Sequence, residues 1–183
     1  MKKSELRKTY KEKRQFLSSE LREEMARKIA DRFLAKFNIS GYNVSVFLPI
    51  SRLFEINTWH IIENVNANFI LPVVTKEGSL KHVLYESVDQ LVTSEWGIPE
   101  PTYGEEIDPK VIDMVLVPLL VVDESGNRVG YGKGFYDQFL ATCSEDCIFV
   151  GLSYFDPVEQ IQDLNPNDIR LHFCVTPDKI LSF

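Results

Sequence analysis

The sequence predicts an α/β protein: a three-layer, open, largely parallel sheet with helices on both faces. Three observations predict it. Short runs rich in Val, Ile, Leu and Phe recur along the chain. Stretches with helical periodicity lie between several of them, the pattern of strands joined by helical crossovers. The longest apolar run, Met114 to Val122, reads as a central strand buried on both faces. The 183 residues fit one domain, 1–183, and a 44% hydrophobic content is enough for a real core.

Taken in order, residues 3–17 read as a helix with Leu6, Tyr10 and Leu17 near one face. Ser18-Ser19-Glu20 caps a second helix reaching Phe37, in which Leu21, Met25, Ile29 and Phe33 recur at every fourth position. Gly41-Tyr42-Asn43 is a turn, and Val44 to Leu48 a strand closed by Pro49. Asn57 or Thr58 caps a short helix holding Trp59, Ile61, Ile62 and Val65, after which Phe69–Val74 and Leu80–Tyr85 are strands. Residues 95–110, with three prolines and two glycines, read as a long ordered loop. Beyond the central run, Asp123-Glu124-Ser125-Gly126 makes a turn, and a helix covers Phe135 to Thr142. Ile148–Leu152 and Phe173–Thr176 are the remaining strands. Ligands of such sheets bind at the carboxyl ends of the strands, which places a site near Leu48 and Val122.

Composition narrows the classes of function. A net charge of −7 disfavours nucleic acid, whose phosphates most of the surface would repel. No apolar run approaches the ~20 residues of a membrane span, and no apolar signal core follows the basic start. Three cysteines (Cys143, Cys147, Cys174) make no disulfide framework, so a reducing cytoplasm is expected. With His172 they lack the close spacing of a structural zinc site. Charge is unevenly placed: residues 1–14 carry seven Lys/Arg against two Glu, whereas the remainder carries 13 basic and 25 acidic residues. A basic first helix on an acidic body draws an anion to one place, although a solvated helix face is the better reading for most of these residues.

The most informative segment is Arg128-Val129-Gly130-Tyr131-Gly132-Lys133-Gly134-Phe135-Tyr136-Asp137. Glycines let a backbone come close and take positive φ. The N–H groups they expose, with Arg128 and Lys133, suit phosphate oxygens, and Asp137 lies close enough to hold a Mg²⁺ carried by such a phosphate. The segment is neither a Walker A loop, since no Ser or Thr follows Lys133, nor a dinucleotide fingerprint, since a turn separates it from the strand. The plain alternative is a glycine-rich connection with Phe135 and Tyr136 packed into the core.

The chain resembles the 5-formyltetrahydrofolate cyclo-ligase family, and the resemblance runs nearly end to end. It is carried by Lys3 and Leu6-Arg7 in the basic opening; by the strand Val44 to Leu48 followed by Glu55-Ile56-Asn57-Thr58; by Trp96-Gly97-Ile98-Pro99-Glu100-Pro101; by Gly126 to Asp137; and by Asn167-Asp168-Ile169-Arg170. The resemblance implies a Rossmann-like sheet similar to the sugar-phosphate isomerase/CoA-transferase-like fold. It also implies an ATP- and Mg²⁺-dependent cyclisation of 5-formyltetrahydrofolate to 5,10-methenyltetrahydrofolate by a cytoplasmic monomer acting on small molecules.

Carried over residue by residue, Lys133 and Arg128 are the catalytic cations. ATP is held by Lys3, Ser4, Glu5, Leu6, Arg7 and the stretch Arg128, Val129, Gly130, Tyr131, Gly132, Lys133, Gly134, Phe135 and Tyr136. The folate meets Leu48, Glu55 and Trp96 together with Tyr131 to Phe135, and Asp137 and Asp168 hold Mg²⁺. Two departures stand out. Several family members carry arginine where this chain has Tyr131, and the Leu48–Glu55 link is about two residues longer than in relatives. Two other readings of the same fold are a sugar-phosphate isomerase-like or ring-opening deaminase enzyme with one phosphate in the loop, and a nucleotide- or folate-binding protein without catalysis.

Overall fold

The computed structural model describes residues 1–183 except 76, 77, 95, 96 and 98. Helix α1 (Lys3–Phe16) is followed by α2 (Ser19–Lys36), whose first turn is closed by the Ser18 hydroxyl accepting from the Leu21 N–H at 3.1 Å. Then come β1 (Asn43–Ser45), α3 (Trp59–Ile62), β2 (Asn68–Val74), β3 (Leu80–Leu84), β4 (Leu91–Thr93) and β5 (Pro99–Pro101). The second half holds β6 (Met114–Pro118), β7 (Val121–Val122), β8 (Arg128–Val129), α4 (Phe135–Leu140), β9 (Ile148–Leu152), β10 (Phe173–Val175) and β11 (Ile180–Ser182). Among the described residues, no helix is long and apolar enough to cross a membrane.

In the described residues a seven-stranded sheet runs β11-β10-β9-β6-β1-β2-β3. The five inner strands pair in parallel, and each edge strand, β3 and β11, pairs antiparallel with its neighbour. The chain passes from β1 to β2 on one side and later returns to β6 on the other. The reversal leaves a crevice at the carboxyl ends of β1 and β6.

Alternate side chains feed two cores. Val44, Phe69, Leu71, Met114, Leu116, Val150 and Val175 face α2 and α3, packing on Ile29, Phe33 and Ile61. Ile70, Val115, Val117, Phe149 and Cys174 face the other way, onto Phe139 and Leu140 of α4. Helices therefore cover both faces, as the sequence predicts. The second core is tight at Gly151 of β9: a Cβ there would lie 2.5 Å from Leu119 Cδ2 and 2.6 Å from Leu171 Cδ1, and both leucines are 1% exposed. Gly151→Ala is expected to cost about 1–3 kcal/mol by overpacking, read as a lower urea midpoint at unchanged slope. An unchanged midpoint would show that these leucines have room to move.

The structure corrects several expectations. The apolar run from Met114 to Val122 is two strands rather than one. β6 ends at Pro118, and from Leu120, whose N–H donates to the Val129 carbonyl at 2.8 Å, the chain enters a β7–β8 hairpin outside the main sheet. The hairpin is as apolar as a central strand because α1 buries it, with Leu6 and Tyr10 packing on Leu120, Val121 and Val129. The end of the central strand is thus Pro118, and Val122 is not at the sheet's carboxyl edge. Asp123 organises the hairpin turn, its carboxylate accepting from the N–H groups of Ser125, Asn127 and Ile161. The segment read as a loop contains β5, paired antiparallel with β4, and the short edge strand β11 was not foreseen.

Candidate active site

The switch-point crevice is a shallow one, lined by Arg14, Phe47, Glu55, Ile56, Pro118, Leu119 and Leu152. Its floor is made by the strand ends, with Leu48 buried beside Phe47 in the core. After β1 the chain runs through a 3-10 turn (Ser51–Leu53) into Phe54, which takes φ 52° and ψ 42°. That left-handed residue is uncommon for a bulky side chain. Its ring is held under the Arg22 guanidinium at 4.5 Å, and the next residue, Glu55, is turned inward. Glu55 Oε2 accepts the Ile50 N–H at 2.9 Å, so the link from Leu48 folds back onto the Glu55 carboxylate. Burial pushes the Glu55 carboxyl up, opposed by the Ile50 N–H, the Tyr131 hydroxyl and the Arg14 charge.

A second half of the site adjoins the first through the glycine loop. Gly132 has φ +89°, and a Cβ there would press on the Arg7 guanidinium at 3.1 Å. Gly134 has φ +75° and starts α4. At Gly132 close approach and positive φ coincide, a pair of conditions that only glycine suits. Arg7 Nε donates to the Gly130 carbonyl at 3.1 Å. Lys133, between the two glycines, is exposed and takes part in none of the ion pairs among the described residues. Leu6 and Val129 are wholly buried in the packing between α1 and the hairpin, so their side chains support the site from beneath. Ser4 and Glu5 are exposed, with Glu5 capping the Lys2 N–H at 2.9 Å, and Phe135 and Tyr136 are half-buried.

The acids join this half. Arg128, with a side chain 6% exposed, donates to Asp137 Oδ1 at 2.7 Å and to the Ile169 carbonyl. The Ile169 N–H donates to the same Asp137 oxygen at 3.2 Å, and the preceding Asp168 pairs with Lys3 Nζ. Four separate segments thus meet: the start of α1, the glycine loop, the start of α4 and residues 168–169. Arg128 is the buried half of an ion pair here, so its sequence-expected role on phosphate is combined with a structural one. Among the described residues, no group of three or more metal-ligating side chains forms. Two carboxylates are too few to enclose a divalent ion, but they fit Mg²⁺, which keeps waters and is shared with substrate phosphates. Trp96 lies outside the described residues.

Arg14 is the residue that sequence reasoning missed. It is 2% exposed, and its NH1 donates to the Tyr131 hydroxyl at 2.9 Å. The loop, uncharged at 131, receives a guanidinium from α1 instead. The signal was present: Leu6, Tyr10 and Arg14 are the buried residues of α1 and follow one another by fours. A cation continuing an apolar stripe marks a buried polar site.

The chain matches the model of the 5-formyltetrahydrofolate cyclo-ligase family over residues 1–177. It is 28% identical to the 5-formyltetrahydrofolate cyclo-ligase of Mycolicibacterium smegmatis, over 97% of this chain and 94% of that one. With the Escherichia coli K12 protein of the same name the identity is 27%, over 93% and 97%. The NMR structure of Aquifex aeolicus 5,10-methenyltetrahydrofolate synthetase superposes with a TM-score of 0.84 at 30% identity, covering 100% of this chain and 93% of that one. The chain belongs to the 5-formyltetrahydrofolate cyclo-ligase family and is, like these relatives, a ligase.

Proposed function

We propose that the protein uses ATP and Mg²⁺ to convert 5-formyltetrahydrofolate to 5,10-methenyltetrahydrofolate, releasing ADP and phosphate, with residues 1–183 acting as one domain of a cytoplasmic monomer. The observation that carries this reading is the meeting of a cationic glycine loop, two acids and a basic helix start beside a crevice holding a recessed carboxylate. A formyl amide is a poor electrophile because its nitrogen donates into the carbonyl. Transfer of the γ-phosphoryl of ATP to the formyl oxygen gives an imidate phosphate, N10 attacks the formyl carbon, and phosphate leaves. The protein aligns oxygen and phosphorus and neutralises spreading charge. Lys133, Arg7, Lys3 and Arg128 supply positive charge, and the loop backbone supplies N–H donors. Asp137 and Asp168 are the groups suited to Mg²⁺, whose charge would offset that of the phosphate oxygens. Leu48, Glu55 and Tyr131 face the folate.

The deciding experiment is optical. The near-ultraviolet band of methenyltetrahydrofolate should grow from 5-formyltetrahydrofolate only when ATP and Mg²⁺ are both present. Growth without ATP, or none with it, would remove the proposal. The basic helix gives a second check. Lys3→Gln with Arg7→Gln should weaken ATP binding about tenfold or more, since two charged contacts to phosphate are lost, and should leave folate binding within about twofold. The apolar residues of α1 stay in place, so calorimetry on a variant with an unchanged circular-dichroism spectrum separates charge from scaffold. Equal ATP affinity would leave the two cations as tethers for Asp168 and Gly130 only.

A further inference from the structure

Arg14 reaches the crevice from α1, and its nitrogens have three different fates. NH1 donates to the Tyr131 hydroxyl at 2.9 Å, NH2 donates to the Leu119 carbonyl, and Nε is buried without an acceptor among the described residues. The Tyr131 oxygen, having accepted from Arg14, keeps its own proton to donate, and Glu55 is the carboxylate that interacts with it electrostatically. Glu55 Oε2 also accepts from Ile50, and the Tyr154 hydroxyl donates to the Glu55 carbonyl at 3.2 Å. The ionisable groups around Glu55 come from every neighbouring element: Arg14 from α1, Tyr131 from the glycine loop, Tyr136 from α4 and Tyr154 from the end of β9. Arg14 is the cation among them.

Packing alone does not account for this side chain. Leu6 and Tyr10 show that the stripe is apolar, and an aliphatic residue in the third position would bury no charge and leave no orphan donor. We propose that Arg14 is a positioning residue for the folate: it fixes the Tyr131 hydroxyl and the Glu55 carboxylate in one orientation in the crevice, so that Glu55 offers its remaining acceptor capacity to the N–H donors of the pterin ring.

The inference rests on the cyclo-ligase reading and has a signature that a merely structural residue lacks. Burial favours the neutral form of Glu55, and Arg14 opposes it. Without Arg14 the carboxyl protonates at higher pH, and a neutral carboxyl is the poorer acceptor. The acid limb of kcat/KM for the folate should therefore move upward.

The test is steady-state kinetics of the parent, Arg14→Gln, Arg14→Lys and Tyr131→Phe, with each substrate varied, from about pH 5 to 9. Arg14→Gln should raise KM for 5-formyltetrahydrofolate about tenfold while KM for ATP stays within about twofold. Its acid limb should rise by about one pH unit. Arg14→Lys should recover part of that shift, and Tyr131→Phe, which cuts the relay but keeps the ring, should shift the limb the same way by less. In a Glu55→Gln background the limb should be absent and Arg14→Gln should add little. A folded Arg14→Gln with the parental limb and KM, or with equal rises in both KM values, overturns the proposal. Should Arg14→Gln fail to fold, Tyr131→Phe decides, and a parental limb there overturns it as well. A parent that does not convert 5-formyltetrahydrofolate overturns the functional reading and this inference together; an active parent with an indifferent Arg14→Gln overturns this inference alone.

Discussion

Lys133→Ala is expected to lower turnover with ATP by about 100-fold, the effect of removing about 3 kcal/mol of charge stabilisation from a transferring phosphoryl group. The structure sharpens the reason. Lys133 is exposed between Gly132 and Gly134, both at positive φ, and none of the ion pairs among the described residues involves it. Arg128, Lys3 and Arg7 are already engaged by protein acceptors, so Lys133 is the cation of the loop most free to follow charge as it develops. Its removal should leave the fold intact, because nothing buried depends on its charge. A variant with the parental melting temperature and parental turnover would take Lys133 out of the mechanism.

Asp137→Asn is expected to have two effects at once. The concentration of Mg²⁺ needed for half-maximal activity should rise, because asparagine keeps the shape and loses the negative charge that a hard cation requires. The protein should also lose about 3 kcal/mol of stability, since Arg128 is left inside without its counter-charge. The sequence alone suggested the first effect and gave no warning of the second. Asp168→Asn should raise the Mg²⁺ requirement similarly with a smaller loss of stability, because the Lys3 side chain it leaves unpaired is 13% exposed against 6% for Arg128. Melting curves together with Mg²⁺ titrations of the folded fraction separate these outcomes. A folded Asp137→Asn that responds to Mg²⁺ as the parent does would leave Asp137 as a counter-ion to Arg128 and no more.

Much of the fold was legible because period and composition agreed. α2 buries its expected stripe at Ile29 and Phe33 while Leu21 at its start is exposed, Ser18 caps it, and the β-branched runs of β2, β6 and β9 are strands. The failures have physical causes. A run buried by a sheet on one side and by a helix further on looks like one long strand, which hid the break at Pro118. β5 is framed by two prolines and, among the described residues, pairs on one side only, so it carries loop composition while serving as an edge. The glycine loop was legible because positive φ restricts the choice of residue. Arg14 was not, because a charged residue on a basic helix reads as solvated unless its position in the stripe is followed to the end.

Helix α1 has a consequence for how the two ligands influence each other. Its Lys3 touches Asp168 and its Arg7 touches Gly130, and the same rigid rod touches Tyr131 through Arg14, a span of about 17 Å from Lys3. A nucleotide that draws in the first turn also changes how Arg14 meets Tyr131, so each substrate should alter the affinity for the other. Thermodynamic linkage requires that the two factors be equal. Titrating the folate with and without a non-hydrolysable nucleotide, and the nucleotide with and without the folate, should return the same ratio. In Arg14→Gln, where the rod no longer grips Tyr131, that ratio should fall towards one.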